Sequence, residues 1–215
     1  MGSILKPRDR EFVKKKFDSE LESQVRIAYF TQNFECEYCE VTRQLLEELA
    51  ELNDALKLEV YDFERDRDKA ETWRIDKIPA TILLGERPMW VRFFGVPSGY
   101  EFLTLIEDII DISRGRSRLS PQAVEMVKSV KEPLHIQVFV TPTCPYCPRA
   151  VRIAHQMAVE NPNIVADMVE VIEFPHLGQK YGVMAVPKTV VNDKVEFEGA
   201  LPELHYIEHV LQALH

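Results

Sequence analysis

Two cysteine pairs of the same spacing carry the chemistry of this chain. The first is Cys36-Glu37-Tyr38-Cys39, followed by Pro79 within Lys77-Ile78-Pro79-Ala80-Thr81; the second is Cys144-Pro145-Tyr146-Cys147, followed by Pro187 within Ala185-Val186-Pro187-Lys188-Thr189. In both cases 43 residues separate the first cysteine from the proline, so a single offset of 108 maps the cysteines, the tyrosine, the proline and the threonine. Two thiols one helical turn apart can cycle between dithiol and disulfide. A cysteine at a helix N-terminus faces unpaired N–H groups and the positive end of the helix dipole, which favour the thiolate that attacks disulfides. Cys36 and Cys144 therefore read as nucleophiles, and Cys39 and Cys147 as more buried resolving thiols. An Ile-Pro or Val-Pro pair at a strand start favours a cis peptide. The residue before it, Ile78 or Val186, would offer backbone to an extended substrate chain, with Pro79 and Pro187 beside the sulfur.

The two pairs are expected to differ. Glu35, Glu37 and Glu40 surround Cys36 and oppose a thiolate, whereas Cys144 has no adjacent acid, has Arg149 and Arg152 within two turns, and has Pro145 at an expected first helical position. The second site is predicted to have the lower thiol pKa and to be the faster and more oxidising. For a buried proton-relay acid, Glu48 (counterpart Gln156) and Asp167 (counterpart Glu59) are the candidates, with solvated surface acids as the competing reading.

The internal repeat divides the 215 residues into an N-terminal unit, 1–117, and a C-terminal unit, 118–215, each long enough to bury its own core. The hydrophobic pattern of each half predicts a leading helix and then β-α-β-α-β-β-α. In the first half this means helix 9–22 with Phe12, Val13, Phe17 and Leu21 inward, strand 25–30, a helix opened by the cysteines with Leu45, Leu49, Leu52 and Leu56 as its stripe, strand 58–63, helix 64–74, hairpin strands 81–84 and 89–94, and helix 99–112. Residues 114–121 read as a linker, with Ser120 as N-cap and Pro121 at the first helical position. The second half repeats the order, its hairpin turning at Asn192-Asp193. The fold class is α/β, with two tandem units each built on a mixed four-stranded sheet flanked by helices.

Composition narrows the function classes. The net charge is −9, −6 in the first unit and −3 in the second, and neither half has a basic face that suggests nucleic acid. No apolar run of membrane-spanning length occurs, and the start reads as neither secretory signal nor myristoylation site, so a cytoplasmic protein is expected. All four cysteines lie in the two motifs, which speaks against a stapled secreted domain. A shared zinc site is disfavoured because 104 residues separate Cys39 from Cys144 and each pair has its own proline. His205 and His209, at i and i+4, read as a solvated helix face, and Trp73 and Tyr181, each six residues before a proline, as packing residues. No bound cofactor or metal is expected.

On these motifs the chain resembles the protein disulfide oxidoreductases of hyperthermophilic archaea and bacteria, built from two thioredoxin-fold units with one Cys-x-x-Cys each; Cys144-Pro145-Tyr146-Cys147 is also of the glutaredoxin type. The resemblance covers essentially the whole chain. It implies reduction, formation and isomerisation of disulfides in cytosolic proteins, Cys36/Cys39 and Cys144/Cys147 as redox pairs, Pro79 and Pro187 as cis prolines, and reduction by a thioredoxin-reductase-like flavoenzyme. Ala185-Val186-Pro187 replaces the Thr-Val-Pro of glutaredoxins. A dedicated electron donor to a peroxidase, like the tandem modules of alkyl hydroperoxide reductase systems, is the alternative.

Overall fold

The computed structural model describes residues 2–214. The first half runs α1 (Pro7–Glu20), β1 (Val25–Thr31), α2 (Cys39–Ala50), β2 (Leu56–Asp62), α3 (Arg67–Thr72), β3 (Ala80–Leu84), β4 (Trp90–Phe94) and α4 (Glu101–Arg114). The second runs α5 (Pro121–Lys128), β5 (Leu134–Val140), α6 (Cys147–Glu160), β6 (Ile164–Glu170), α7 (Pro175–Lys180), β7 (Lys188–Val191), β8 (Val195–Glu198) and α8 (Glu203–Leu211). The repeated element order is the expected one, with ends shifted by a few residues. Leu56 opens β2 rather than closing the α2 stripe, and Phe12 faces solvent because Val13 and Phe17 already fill the buried side of α1.

Local chemistry explains several boundaries. The Ser120 side chain accepts a hydrogen bond from the Ala123 N–H and starts α5, with Pro121 behind it. Asn192 and Asp193 both take positive φ, as a two-residue hairpin turn demands. Pro145 lies before the second cysteine helix; α6 begins at Cys147, and Pro148 occupies its first turn. The connection 115–120 is tied down: the Ser117 N–H donates to Glu160, the Arg118 N–H to Gln156 and the Ser120 N–H to Glu203.

The two four-stranded halves are joined edge to edge. The sheet order is β2-β1-β3-β4-β6-β5-β7-β8, and β4 pairs with β6 in parallel, Trp90 opposite Val165 through Phe94 opposite Val169. One face of this eight-stranded sheet carries a core running through both halves, from Phe17 and Leu46 to Ile106, Val151 and Ile207. The other face carries a smaller core, in which Trp73 packs edge-on against Phe30 and Tyr61, and Tyr181 lies tilted against Phe139.

Two sequence candidates for a proton relay have structural duties instead. Glu48 is buried and binds the N-terminal segment: it accepts from the Ile4 N–H (2.8 Å), the Leu5 N–H (2.9 Å) and the Ser3 hydroxyl (2.7 Å). Burial would raise its carboxyl, but these donors outweigh it and lower it to about 2. Glu48→Ala is expected to release residues 3–5 and cost about 1–3 kcal/mol by leaving buried N–H groups unpaired. Because the folded-state pKa is depressed, the contribution is present above the ordinary glutamate range and is lost as pH falls through about 2. Urea melts of Glu48→Ala between pH 7 and pH 2 measure both; a variant as stable as the parent at pH 7 would refute the anchor. Asp167 is fully buried in an ion pair with Arg92 across the β4–β6 seam, and its counterpart Glu59 pairs with Arg26.

Candidate active site

Both cysteine pairs lie at one end of the shared sheet. β1, β4, β6 and β5 are mutually parallel, so the C-terminal ends of β1 and β5, from which the chain leads to Cys36 and Cys144, point the same way. Four strand spacings separate β1 from β5, about 19 Å. Cys36 is bonded to Cys39 and Cys144 to Cys147. Cys36 is half-buried while Cys144 is 7% exposed; the second cysteines, Cys39 and Cys147, are buried at 3% and 0%.

The prolines stand where the spacing predicts. Ile78–Pro79 and Val186–Pro187 are cis peptides. Ala80 pairs with Phe30 and Lys188 with Phe139, so each proline sits beside the strand end that leads to its cysteines. Pro79 and Pro187 are buried, and Ile78 and Val186 half-buried. At the second site the contact is direct: Cys144 Sγ lies 3.7 Å from the Val186 carbonyl oxygen, and the Cys147 N–H donates to Cys144 Sγ at 3.1 Å. That N–H is one of the unpaired donors of the α6 N-terminus, and a thiolate is its best acceptor.

One of the expected reasons for a difference between the two sites does not hold. Arg152 does not face Cys144; its guanidinium is held by Asp108 and Asp111 of α4. His155, fully buried beside it, bonds Asp108 through Nδ1 at 2.6 Å, and burial lowers its pKa to about 3, so it is neutral at ordinary pH. Arg149 is exposed. The helix N-terminus, not a neighbouring arginine, is therefore the favourable influence on Cys144.

The first site gains acids from the other half. Glu170 ends β6 and Glu173 follows in the turn; the Val96 N–H donates to Glu173 Oε1 at 2.7 Å, and the Glu173 N–H to Glu170 Oε2 at 2.8 Å. Burial raises the Glu173 carboxyl to about 7 against the pull of the Val96 N–H, and the charges of Glu170 and Glu37 add to the rise. Glu37 is part of the first cysteine motif, so this acid of the second half lies within reach of that motif's charge. Beneath the same site Tyr29, fully buried, donates its hydroxyl to the Cys39 carbonyl at 2.6 Å. Burial also raises Glu101, in the first turn of α4, to about 7; the preceding Tyr100 N–H donates to the Pro142 carbonyl in the loop before Cys144. Sequence reasoning misses Tyr29, Glu101, Glu170 and Glu173. A tyrosine inside an apolar strand run is the available signal for Tyr29; the three acids carry no local one, because their burial is decided by distant segments. The histidine pair sits on α8, where His209 Nδ1 bonds the His205 carbonyl and its ring packs on Phe197.

Comparison with known proteins agrees with this geometry. A thioredoxin domain model matches residues 134–212. The chain is 39% identical over 80 residues to a thioredoxin of Methanocaldococcus jannaschii, covering 37% of this chain and 94% of that one. It is 33% identical over 107 residues to the F component of the alkyl hydroperoxide reductase of Staphylococcus epidermidis, covering 50% of this chain but only 20% of that one, so it spans about a fifth of the length of such relatives. The crystal structure of a protein disulfide oxidoreductase from Aeropyrum pernix superposes with a TM-score of 0.89 at 34% identity, over 97% of this chain and 93% of that one. No helix among the described residues is long and apolar enough to cross a membrane. The chain belongs to the protein disulfide oxidoreductases built from tandem thioredoxin folds, and is a thiol–disulfide oxidoreductase with two Cys-x-x-Cys centres.

Proposed function

We propose that the chain reduces, forms and isomerises disulfides in cytoplasmic proteins, using each cysteine pair as a complete redox centre. Cys36 and Cys144 attack the substrate disulfide, and Cys39 and Cys147 resolve the mixed disulfide. Ile78 with Pro79, and Val186 with Pro187, hold the extended substrate segment. The chain divides into functional units 1–117 and 118–215, each carrying one centre. A flavoenzyme of the thioredoxin-reductase type returns the pairs to the dithiol.

The observation that carries this reading is the approach of Cys144 Sγ to the Val186 carbonyl, 3.7 Å, with the Cys147 N–H on the same sulfur. A substrate strand laid along Val186 would bring its own sulfur to Cys144. Exposed apolar side chains flank the same end of the molecule: Phe34 and Tyr146 in the cysteine loops, Tyr100 on the Pro142 loop, Ile172 beside Glu173, and Met184 two residues before Val186. Such a rim suits unfolded polypeptide rather than a small polar disulfide.

Insulin reduction and reactivation of scrambled ribonuclease test the reading in three variants: Cys36→Ser/Cys39→Ser, Cys144→Ser/Cys147→Ser, and all four replaced. Each double variant, with one cysteine pair left, is expected to keep part of the reductase activity and the fourfold variant none. A fourfold variant as active as the parent would sink the reading. Identity to the F component of an alkyl hydroperoxide reductase supports a second one, electron donation to a cysteine peroxidase. It is favoured if the dithiol form reduces a peroxidase disulfide much faster than insulin.

A further inference from the structure

We propose that Glu173, contributed by the second half of the chain, is the proton acceptor and positioning residue that serves the first cysteine pair. This deepens the reading above and rests on Cys36 and Cys39 acting as a redox centre.

Three observations converge. Glu173 is aimed and held: Oε1 takes the Val96 N–H at 2.7 Å, while Oε2 is buried with no hydrogen-bond partner among the described residues. A buried carboxylate oxygen left open is costly unless it serves a second purpose. The backbone between Glu173 and the first site is also built to let the acid approach. The Gly95 N–H donates to the Pro79 carbonyl at 2.9 Å, and Gly95 has φ +92°. A Cβ there would lie 2.7 Å from Glu170 Cβ and 2.9 Å from Glu173 Oε1, so a side chain would push both acids away from the proline of the first site. Finally, the charges meet. Glu173 feels Glu37, and it raises the phenols of Tyr38, inside the cysteine motif, and of Tyr29, whose hydroxyl holds the Cys39 carbonyl.

The two first-half acids named from the sequence pattern are otherwise engaged, Glu48 with residues 3–5 and Glu59 with Arg26 and Tyr61. Glu101, whose carboxylate oxygens are also unpartnered among the described residues, follows Tyr100, which bonds the loop before Cys144 in the second site. The titratable groups acting on or with Glu173 are Glu170 on its own segment, Glu37 and Tyr38 in the cysteine motif, and Tyr29 on β1, which also feels Glu40 of α2; no lysine or arginine pairs with it among the described residues.

In the step served, Cys36 is already bonded to a substrate sulfur. The Cys39 proton passes to Glu173 Oε2. The Cys39 thiolate attacks Cys36 Sγ, the Cys36–Cys39 bond forms, and the bond from Cys36 to the substrate breaks. Its electron pair leaves on the substrate thiolate, which takes up a proton from solvent. The cysteine pair is oxidised by two electrons and the substrate disulfide reduced by two. Glu173 must be ionised to accept, so resolution at the first site rises as pH passes upward through about 7.

Stopped-flow reaction of the reduced Cys144→Ser/Cys147→Ser protein with 5,5′-dithiobis(2-nitrobenzoate) separates the steps, because attack by Cys36 releases one chromophore and resolution by Cys39 the second. Glu173→Gln keeps the carbonyl that accepts from Val96. It is expected to slow the second release roughly 100-fold at pH 7, to abolish the inflection near 7, and to leave the first release at least as fast. A merely structural residue would not remove the inflection. An unchanged second step with an unchanged pH profile overturns the proposal. If the parent itself shows no first release, the redox role of Cys36 fails, which is a different result. Should Glu173→Gln not fold, carbon-13 titration of the Glu173 carboxyl in the parent decides. A midpoint that moves between the disulfide and dithiol forms supports the link, and identical midpoints refute it.

Discussion

Asp167→Ala is expected to cost about 3–5 kcal/mol of folding stability, because it strands the Arg92 guanidinium inside the seam that joins the two halves. Arg92 Nε and Nη2 reach the two oxygens of Asp167 at 2.7 and 2.9 Å, and Nη1 donates to the Trp73 and Arg74 carbonyls at 3.0 and 2.9 Å. His135 Nε2 approaches the same carboxylate at 2.6 Å. The Arg92 and Asp167 side chains are 4% and 0% exposed, so water cannot replace a lost partner. For a chain of this size the loss corresponds to a fall in Tm of about 6–20 °C. The matched apolar pair Arg92→Met/Asp167→Leu is expected to cost much less, since no buried charge is left alone, although the Trp73 and Arg74 carbonyls lose their donor. Burial alone would raise the Asp167 carboxyl; Arg92 and His135 override it and hold it well below the usual range. A depressed folded-state pKa means stability that is present above the ordinary aspartate range, about 3.9, and is lost as pH falls below it. Guanidinium melts of the parent and both variants measure all of this. A cost below about 1 kcal/mol for Asp167→Ala would show that the seam holds without the ion pair.

The second large effect is on thiol chemistry. The Cys144 thiol is expected to ionise about one pH unit below the Cys36 thiol, roughly a tenfold difference in thiolate population near neutrality. The Cys147 N–H stands 3.1 Å from Cys144 Sγ, and no acid neighbours that sulfur in the chain. Burial of Cys144 at 7% exposure works the other way, and the helix N-terminal donor outweighs it. Glu37 and Glu40 flank the first pair in the chain, the charges of Glu173 and Glu170 from the second half reach Tyr38 in the same motif, and each negative charge disfavours a thiolate. The pH midpoint of iodoacetamide alkylation in Cys39→Ser/Cys144→Ser/Cys147→Ser and in Cys36→Ser/Cys39→Ser/Cys147→Ser measures each nucleophile alone. Midpoints, unlike absolute rates, do not depend on how readily the reagent reaches the more buried Cys144 sulfur. Equal midpoints, or a lower one for Cys36, would defeat the expectation. A lower thiol pKa stabilises the reduced form, so the second pair is also expected to be the better oxidant when both are equilibrated with one dithiol buffer.

Unequal sites are legible in the sequence, but one of the reasons legible there is wrong. Arg152, two turns beyond Cys144, reads as its cationic neighbour, yet α4 supplies Asp108 and Asp111 from a distant part of the chain and holds the guanidinium. Pro145 reads as the first helical residue, but α6 begins two residues later at Cys147, and it is Pro148 that lies in its first turn. Glu48 and Asp167 illustrate the same limit. Their places among apolar residues leave burial and a solvated surface as competing readings, and both the burial and the partners, the Ile4 and Leu5 N–H groups and Arg92, are decided by the fold.

The local apparatus is written into the order of residues, twice: cysteines at the start of an amphipathic helix and a proline at the start of the neighbouring strand, together with turn residues at Asn192 and Asp193 and the N-cap at Ser120. These features depend on backbone geometry over a few residues, and spacing is enough to specify it. The parallel pairing of β4 with β6, which merges two four-stranded sheets into one, emerges only when the chain folds. No local signal encodes which strand meets which: the near-continuous burial of β4 and β6 marks them as interior strands but names no partner. That single pairing sets Asp167 against Arg92 and carries Glu170 and Glu173 to Gly95, so the surroundings of the first cysteine pair are completed by residues more than 130 positions away.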